Sequence, residues 1–282
     1  MQYEVVGIVG CGLMGSGIAQ VCAQAGCQTF VADVDERSIE TGLDRIEKSL
    51  AKGVEKGKLK AEDVERIQTR LIATTKLDEF SKCDLVIEAV VENISVKRKI
   101  FEDLESIVRP DAVLASNTSS LCITELGTTS RRPNRFIGLH FFSPVPLMKL
   151  VEVVRGLSTS DETFAAVFNF VSQLGKEPVT APDRPGFIAN RLLIPYLLDA
   201  VRAYESGLGT VEDIDKTMTL GCGHPMGPFT LLDFIGIDTT YYISGIMYEE
   251  FRDPVYAAPP LLKRMVLAGR LGRKSGEGFY RY

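Results

Sequence analysis

Two groups of residues in this 282-residue chain could do chemistry. The first is Gly10-x-Gly12-x-x-Gly15, followed by an acid at Asp33. It sits between the β-branched run Tyr3-Glu4-Val5-Val6-Gly7-Ile8-Val9 and a segment whose apolar residues Ile18, Val21, Cys22 and Ala25 recur at helical spacing. A strand, a glycine turn, a helix and an acid ending the next strand form the setting that lets such a motif hold a dinucleotide. Gly10 permits the tight turn, Gly12 admits the pyrophosphate to the backbone, and Gly15 lets the helix pack on the sheet. Amides of the helix N-terminus, at Leu13 and Met14 as well as Gly15, face the phosphates, and Asp33 accepts from the adenosine ribose hydroxyls. An acid there repels a 2′-phosphate, so NAD is expected over NADP, although Arg37 lies close enough to offset part of that repulsion.

The second group is His140 and Glu152. His140 ends the run Phe136-Ile137-Gly138-Leu139, at the carboxyl edge of a predicted strand, where open α/β sheets place ligands. Glu152 interrupts Leu150-Val151-Glu152-Val153-Val154, and a carboxylate in such a strand needs a partner if it is buried. Paired, the two could exchange a proton with an alcohol or ketone while a hydride moves to or from nicotinamide. From the residues alone, a core histidine and a glutamate exposed on an edge strand serve as well. Asn117-Thr118-Ser119-Ser120, after the short strand Val113-Leu114-Ala115, and Asn190, early in a later helix, could face a ligand or cap and brace local backbone. His224, beside Pro225 in a glycine-rich turn, reads as structural.

Positioning these groups requires a particular architecture. Apolar runs at 71–75, 84–90, 112–116, 135–140, 150–154 and 177–181 alternate with helical stretches such as 95–108 and 161–174, which predicts a doubly wound, mostly parallel sheet. Residues 36–70 stand outside the alternation as two charged helices joined around Gly57-Lys58. Past the Pro/Gly cluster at 182–186, period-2 patterning stops. Helical spacing then runs over roughly 187–206, 211–221, 228–250 and 260–269, so a domain at 1–183 should be followed by a smaller all-α domain at 184–282.

Composition narrows the classes further. Hydrophobic residues make up 45% and charged residues 24%, with a net charge of −5, which fits a folded globular protein and disfavours nucleic acid or an anionic membrane as partner. No apolar run reaches the ~18 residues of a membrane span. Six cysteines show no CxxC pair, and with only two histidines no metal site is expected. Reduced thiols and the absence of a leader pattern before the first strand predict a cytoplasmic setting.

Several stretches together resemble the L-3-hydroxyacyl-CoA dehydrogenase family, near its stand-alone 3-hydroxybutyryl-CoA members. These are Gly10–Ala19, Val86–Asn93, Ala115–Ser120, Gly138–Phe142, Leu150–Glu152, Pro185–Arg191 and Lys274–Tyr280, spread over nearly the whole chain. The resemblance implies a Rossmann-like NAD domain with a projecting helical pair at 36–70. It also implies a His140–Glu152 acid/base pair, with Ser119 and Asn190 bonding the reacting end of an acyl thioester. By the same resemblance Glu92 and Lys97 lie near the nicotinamide end of NAD, and Asn117, Ser119 and Ser143 belong with the cofactor contacts. The acyl-CoA is expected between the domains, and a homodimer through the helical domain. Ser143 departs from the family's usual Asn after His-Phe-Phe, keeping a hydroxyl at shorter reach. Lys48, Lys52 and Lys56 could meet CoA phosphates or form a solvated helix face. The expected reaction interconverts (S)-3-hydroxyacyl-CoA and 3-oxoacyl-CoA with short acyl chains such as butyryl. A dehydrogenase of free hydroxy acids or sugar acids, and a non-catalytic dinucleotide-binding protein of the same fold, are the alternatives.

Overall fold

Eight short apolar runs hydrogen-bond into one sheet in the computed structural model, which describes residues 3–282. The strands are β1 (Val5–Val9), β2 (Gln28–Ala32), β3 (Leu71–Thr74), β4 (Leu85–Glu88), β5 (Val113–Ser116), β6 (Phe136–Phe141), β7 (Leu150–Arg155) and β8 (Glu177–Pro182), in the order β3-β2-β1-β4-β5-β6-β7-β8. β1 to β6 run parallel; β7 reverses against β6, and β8 runs parallel to β7. The reversal has a simple cause. Residues 142–149 are too few to carry a crossover helix, so the chain can only return antiparallel.

Around the sheet lie α1 (Leu13–Ala25), α2 (Glu36–Glu55), α3 (Ala61–Gln68), α4 (Ile94–Ile107), α5 (Ile123–Gly127) and α6 (Asp161–Gln173). The central strands β4, β5 and β6 are buried at every position, as a parallel sheet covered on both faces must be. Val6, Ile8, Leu85, Ile87, Leu139 and Val153 join the α1 residues Ile18 and Val21 in one core. α2 and α3 form the expected helical pair. Asp35 caps α2 by accepting from the Ser38 amide at 2.7 Å, and the buried stripe Ile39, Gly42, Ile46 and Leu50 fixes which face of α2 turns inward.

The chain divides into two compact units, one ending at Arg184 and one running Pro185–Tyr282. The second contains α7 (Ala189–Glu205), α8 (Val211–Lys216), α9 (Pro228–Ile235), α10 (Ile237–Phe251) and α11 (Pro260–Leu267) around its own core of Leu197, Leu198, Phe229, Leu232, Ile237 and Met247. Two details differ from the sequence expectation. The stretch 228–250 is two helices, broken where Gly236 takes φ +104°, and the stretch 211–221 leaves α-geometry for a π-turn at Thr217–Gly221. Periodicity ran through both positions, so only backbone conformation marks the breaks. No described helix is long and apolar enough to cross a membrane.

Candidate active site

The glycine turn is built for close approach on one side and open on the other. Gly10 has φ +99°, and a Cβ there would sit 2.7 Å from the Ala89 carbonyl oxygen. At Gly15 a Cβ would lie 1.7 Å from the Gly10 carbonyl oxygen, so nothing larger than glycine lets α1 start against the loop. Gly12 behaves oppositely: nothing lies within 4 Å of where its Cβ would be. That open space faces the first turn of α1, where the amides of Leu13, Met14 and Gly15 find no acceptor within the helix and no side chain caps the end. Asp33, just past β2, accepts from the Cys11 amide at 2.6 Å and the Val34 amide at 2.7 Å, which fixes its carboxylate beside the turn. Next to it Gly12, Asp33, Arg37, Ser38 and Arg45 border a hollow of about 250 Å³. Unused amides, an open cradle and a fixed carboxylate fit the pyrophosphate and ribose of a dinucleotide.

On the other side of β1 the sheet carries a buried polar network. β4 ends in Glu88, which is fully buried and accepts from Lys97 Nζ at 2.6 Å, Ser116 Oγ at 2.6 Å and the Val90 amide at 2.7 Å. Lys97, on α4 and only 1% exposed, also approaches Glu92 Oε2 at 3.2 Å. Glu92 in turn accepts from the Ser119 amide at 3.1 Å and Ser120 Oγ at 3.0 Å, and from the Thr118 hydroxyl. Burial works against ionisation of Glu92, but Lys97 and these donors together outweigh it and hold its carboxyl below the usual range. Glu92, Lys97 and Ser119 therefore come together as one unit. Sequence reasoning missed Glu88, the hub of that unit, although a carboxylate ending the apolar strand Leu85-Val86-Ile87 was the same signal that singled out Glu152.

Two strands further on, antiparallel register sets His140 directly opposite Glu152. Their side chains meet, Nδ1 to Oε2, at 2.7 Å, with His140 6% and Glu152 1% exposed. The Phe142 ring packs on the imidazole at 4.4 Å between centroids. Asn117 Oδ1 accepts from the Phe141 amide at 2.9 Å and so ties the loop after β5 to the end of β6. Ser143 is exposed one residue beyond Phe142. Asn190 lies in the first turn of α7, in the second unit, half-buried. His224 meets the Tyr196 hydroxyl at 3.2 Å through Nδ1, within the same unit. Lys48 and Lys52 lie exposed on α2 and Lys56 at its C-cap, with Lys48 paired to Asp44 at 2.6 Å.

The open glycine turn follows β1 and the buried His140–Glu152 pair joins β6 to β7 in the same sheet. Residues 5–184 match the NAD binding domain of 3-hydroxyacyl-CoA dehydrogenase, and residues 186–282 match its C-terminal domain. The chain belongs to the 3-hydroxyacyl-CoA dehydrogenase family. It is 50% identical to a probable 3-hydroxybutyryl-CoA dehydrogenase of Deinococcus radiodurans, over 98% of this chain and 99% of that one. Identity to the 3-hydroxybutyryl-CoA dehydrogenase of Mycobacterium tuberculosis is also 50%, over 98% of both chains. The crystal structure of an (S)-3-hydroxybutyryl-CoA dehydrogenase from Ralstonia eutropha superposes with a TM-score of 0.96 at 44% identity, covering 99% of each chain. As a member of this family the chain is an NAD-dependent 3-hydroxyacyl-CoA dehydrogenase, and the open cradle at Gly12 is where such an enzyme needs room for its cofactor.

Proposed function

We propose that this dehydrogenase interconverts (S)-3-hydroxybutyryl-CoA and acetoacetyl-CoA, with His140 as the proton-transferring group and Glu152 as the carboxylate that orients it. The observation that carries this reading is the buried 2.7 Å bond between His140 Nδ1 and Glu152 Oε2. With Nδ1 committed to Glu152, the proton exchanged with substrate moves through Nε2. In the oxidative direction His140 takes the 3-hydroxyl proton as the C–O bond becomes a carbonyl, and Glu152 stabilises the imidazolium. NAD, held at the glycine turn and by Asp33, would supply the acceptor for the C3 hydride. In reverse, the imidazolium returns the proton to the ketone oxygen. Ser119, whose amide is anchored on Glu92, and Asn190 hydrogen-bond the reacting end of the thioester. Asn117 and Ser143 line the cofactor side.

The protein works in the cytoplasm, and it forms a homodimer through its helical unit. Support for the dimer is an open groove of about 1030 Å³ between α10 and α11, bordered by Tyr241, Ile246, Tyr248, Ala257, Ala258 and Pro260.

The direct test follows NADH absorbance on mixing the purified protein with acetoacetyl-CoA or with free acetoacetate. Rapid loss with the thioester alone is expected. Turnover of acetoacetate alone would shift the reading to a free hydroxy-acid dehydrogenase, and NADH binding without turnover of any thioester would leave only the binding function.

A further inference from the structure

We propose that Glu88 is a positioning residue that gives the Lys97–Glu92 cluster a net negative charge and thereby favours the oxidised, cationic cofactor over the reduced, neutral one. The inference rests on NAD being the cofactor, but not on the choice of acyl substrate.

The strand order reverses between β1 and β4, and a dinucleotide lies across such a point. Asp33 and the glycine turn occupy the β2–β1 side, while His140, which exchanges its proton with the oxygen on the reacting carbon, stands on β6. The nicotinamide half therefore lies on the β4–β6 side, over the ends of the strands that carry this cluster. Three charged groups are clustered there: Glu88, Lys97 and Glu92. The two oxygens of Glu88 meet Lys97 Nζ, the Ser116 hydroxyl and the Val90 amide, all donors, the pattern of an ionised carboxylate. Glu92, held below the usual carboxyl range, is ionised as well. One ammonium against two carboxylates leaves one negative charge, with Glu88 and Lys97 shielded from water and the Glu92 side chain 24% exposed.

Nothing in the hydride or proton transfer requires Glu88 to touch the substrate. Lys97 already has a counter-charge in Glu92, so a neutral residue at position 88 would leave a balanced ion pair. The second carboxylate makes the cluster anionic. A unit charge acting across ~10 Å at an effective dielectric of about 20 alters affinity for a cation by roughly tenfold and leaves a neutral ring almost unaffected.

The test is calorimetric titration of the purified full-length chain with NAD⁺ and, separately, NADH. In Glu88→Gln the ratio of the NAD⁺ to the NADH dissociation constant should rise by about tenfold, while Glu88→Asp, which keeps the charge, should hold the parent ratio even if both affinities fall. A scaffold role alone would weaken both cofactors together, so an unchanged ratio in Glu88→Gln overturns the proposal, as does an equal shift in Glu88→Asp. Should Glu88→Gln fail to fold, the double variant Glu88→Gln/Lys97→Met removes the buried pair as a unit and leaves Glu92 as the single charge. Its ratio should then match the parent's within about twofold, and a tenfold rise there would overturn the proposal.

Discussion

At the scale of single residues, the informative ones were polar groups placed where apolar neighbours make them costly. Glu152 in Leu150-Val151-Glu152-Val153-Val154 demanded a partner, and the register supplied His140. Glu88 sends the same signal from Leu85-Val86-Ile87-Glu88, but its three donors come from β5, α4 and the β4 turn, and no sequence spacing reveals such a convergence. Replacing His140 with Ala should lower turnover of acetoacetyl-CoA by about 10²–10⁴-fold while NADH still binds, as measured by initial rates and NADH fluorescence titration. Near-parent rates would remove His140 from the mechanism. Glu152→Gln should lower turnover with little change in NADH affinity, because it takes away the imidazolium's counter-charge and leaves the glycine turn intact. Asp33 anchors the Cys11 and Val34 amides, and in the proposed reading it also meets the ribose. Asp33→Ser should therefore narrow the preference for NADH over NADPH and also weaken NADH; a cofactor preference identical to the parent's would show that Asp33 does not read the ribose.

At the scale of elements, the eight strands and the helical pair were legible because each is a contiguous run with its own period. The antiparallel turn of β7 was not, since it follows from the shortness of residues 142–149 rather than from any residue within the strands. The break at Gly236 was hidden because apolar spacing continues across it. The turn from β1 to α1 separates packing from binding. Gly15→Ala sets a methyl 1.7 Å from the Gly10 carbonyl oxygen and should destabilise the fold by about 3 kcal/mol. Gly12→Ala meets no protein atom within 4 Å, so its thermal midpoint should stay near the parent's while NADH affinity falls at least about tenfold. A Gly12→Ala variant that binds NADH normally would place the pyrophosphate elsewhere. The loop after β4 adds a pH signature. Glu92 is ionised more readily in the folded chain than in the unfolded one, so its contribution is complete above the ordinary carboxyl pKa, about 4.3, and drains away as pH falls through its lower folded value. Denaturant midpoints measured across that acid range should drop less steeply in Glu92→Gln than in the parent, and equal slopes would assign the acid sensitivity to other carboxylates.

At the scale of the whole molecule, α10 carries two stripes where a surface helix needs one. Ile237, Thr240, Ser244 and Met247 are buried and face the core of the helical unit. Gly245 and Tyr248 lie beside that face and, with the half-buried Tyr241 that also packs on the core, border the groove toward α11, with Tyr248 39% exposed and nothing within 4 Å of where a Gly245 Cβ would be. An aromatic stripe bordering an open groove is characteristic of a surface that another apolar surface covers, and the small Gly245 lets that surface come close. A second copy of the same helix satisfies both conditions, because a two-fold contact sets the stripe against itself. Light scattering should then give twice the 31.0 kDa chain mass for the parent, while Tyr248→Glu and Gly245→Arg, at positions outside that core, should give the single-chain mass with helical content unchanged. A parent that runs as a single chain, or variants that keep the doubled mass, would move the interface off α10. If the single-chain variants also keep the parent's NADH affinity, the dinucleotide cradle is complete within one protomer, as its construction from β1, α1, β2 and α2 of a single chain requires.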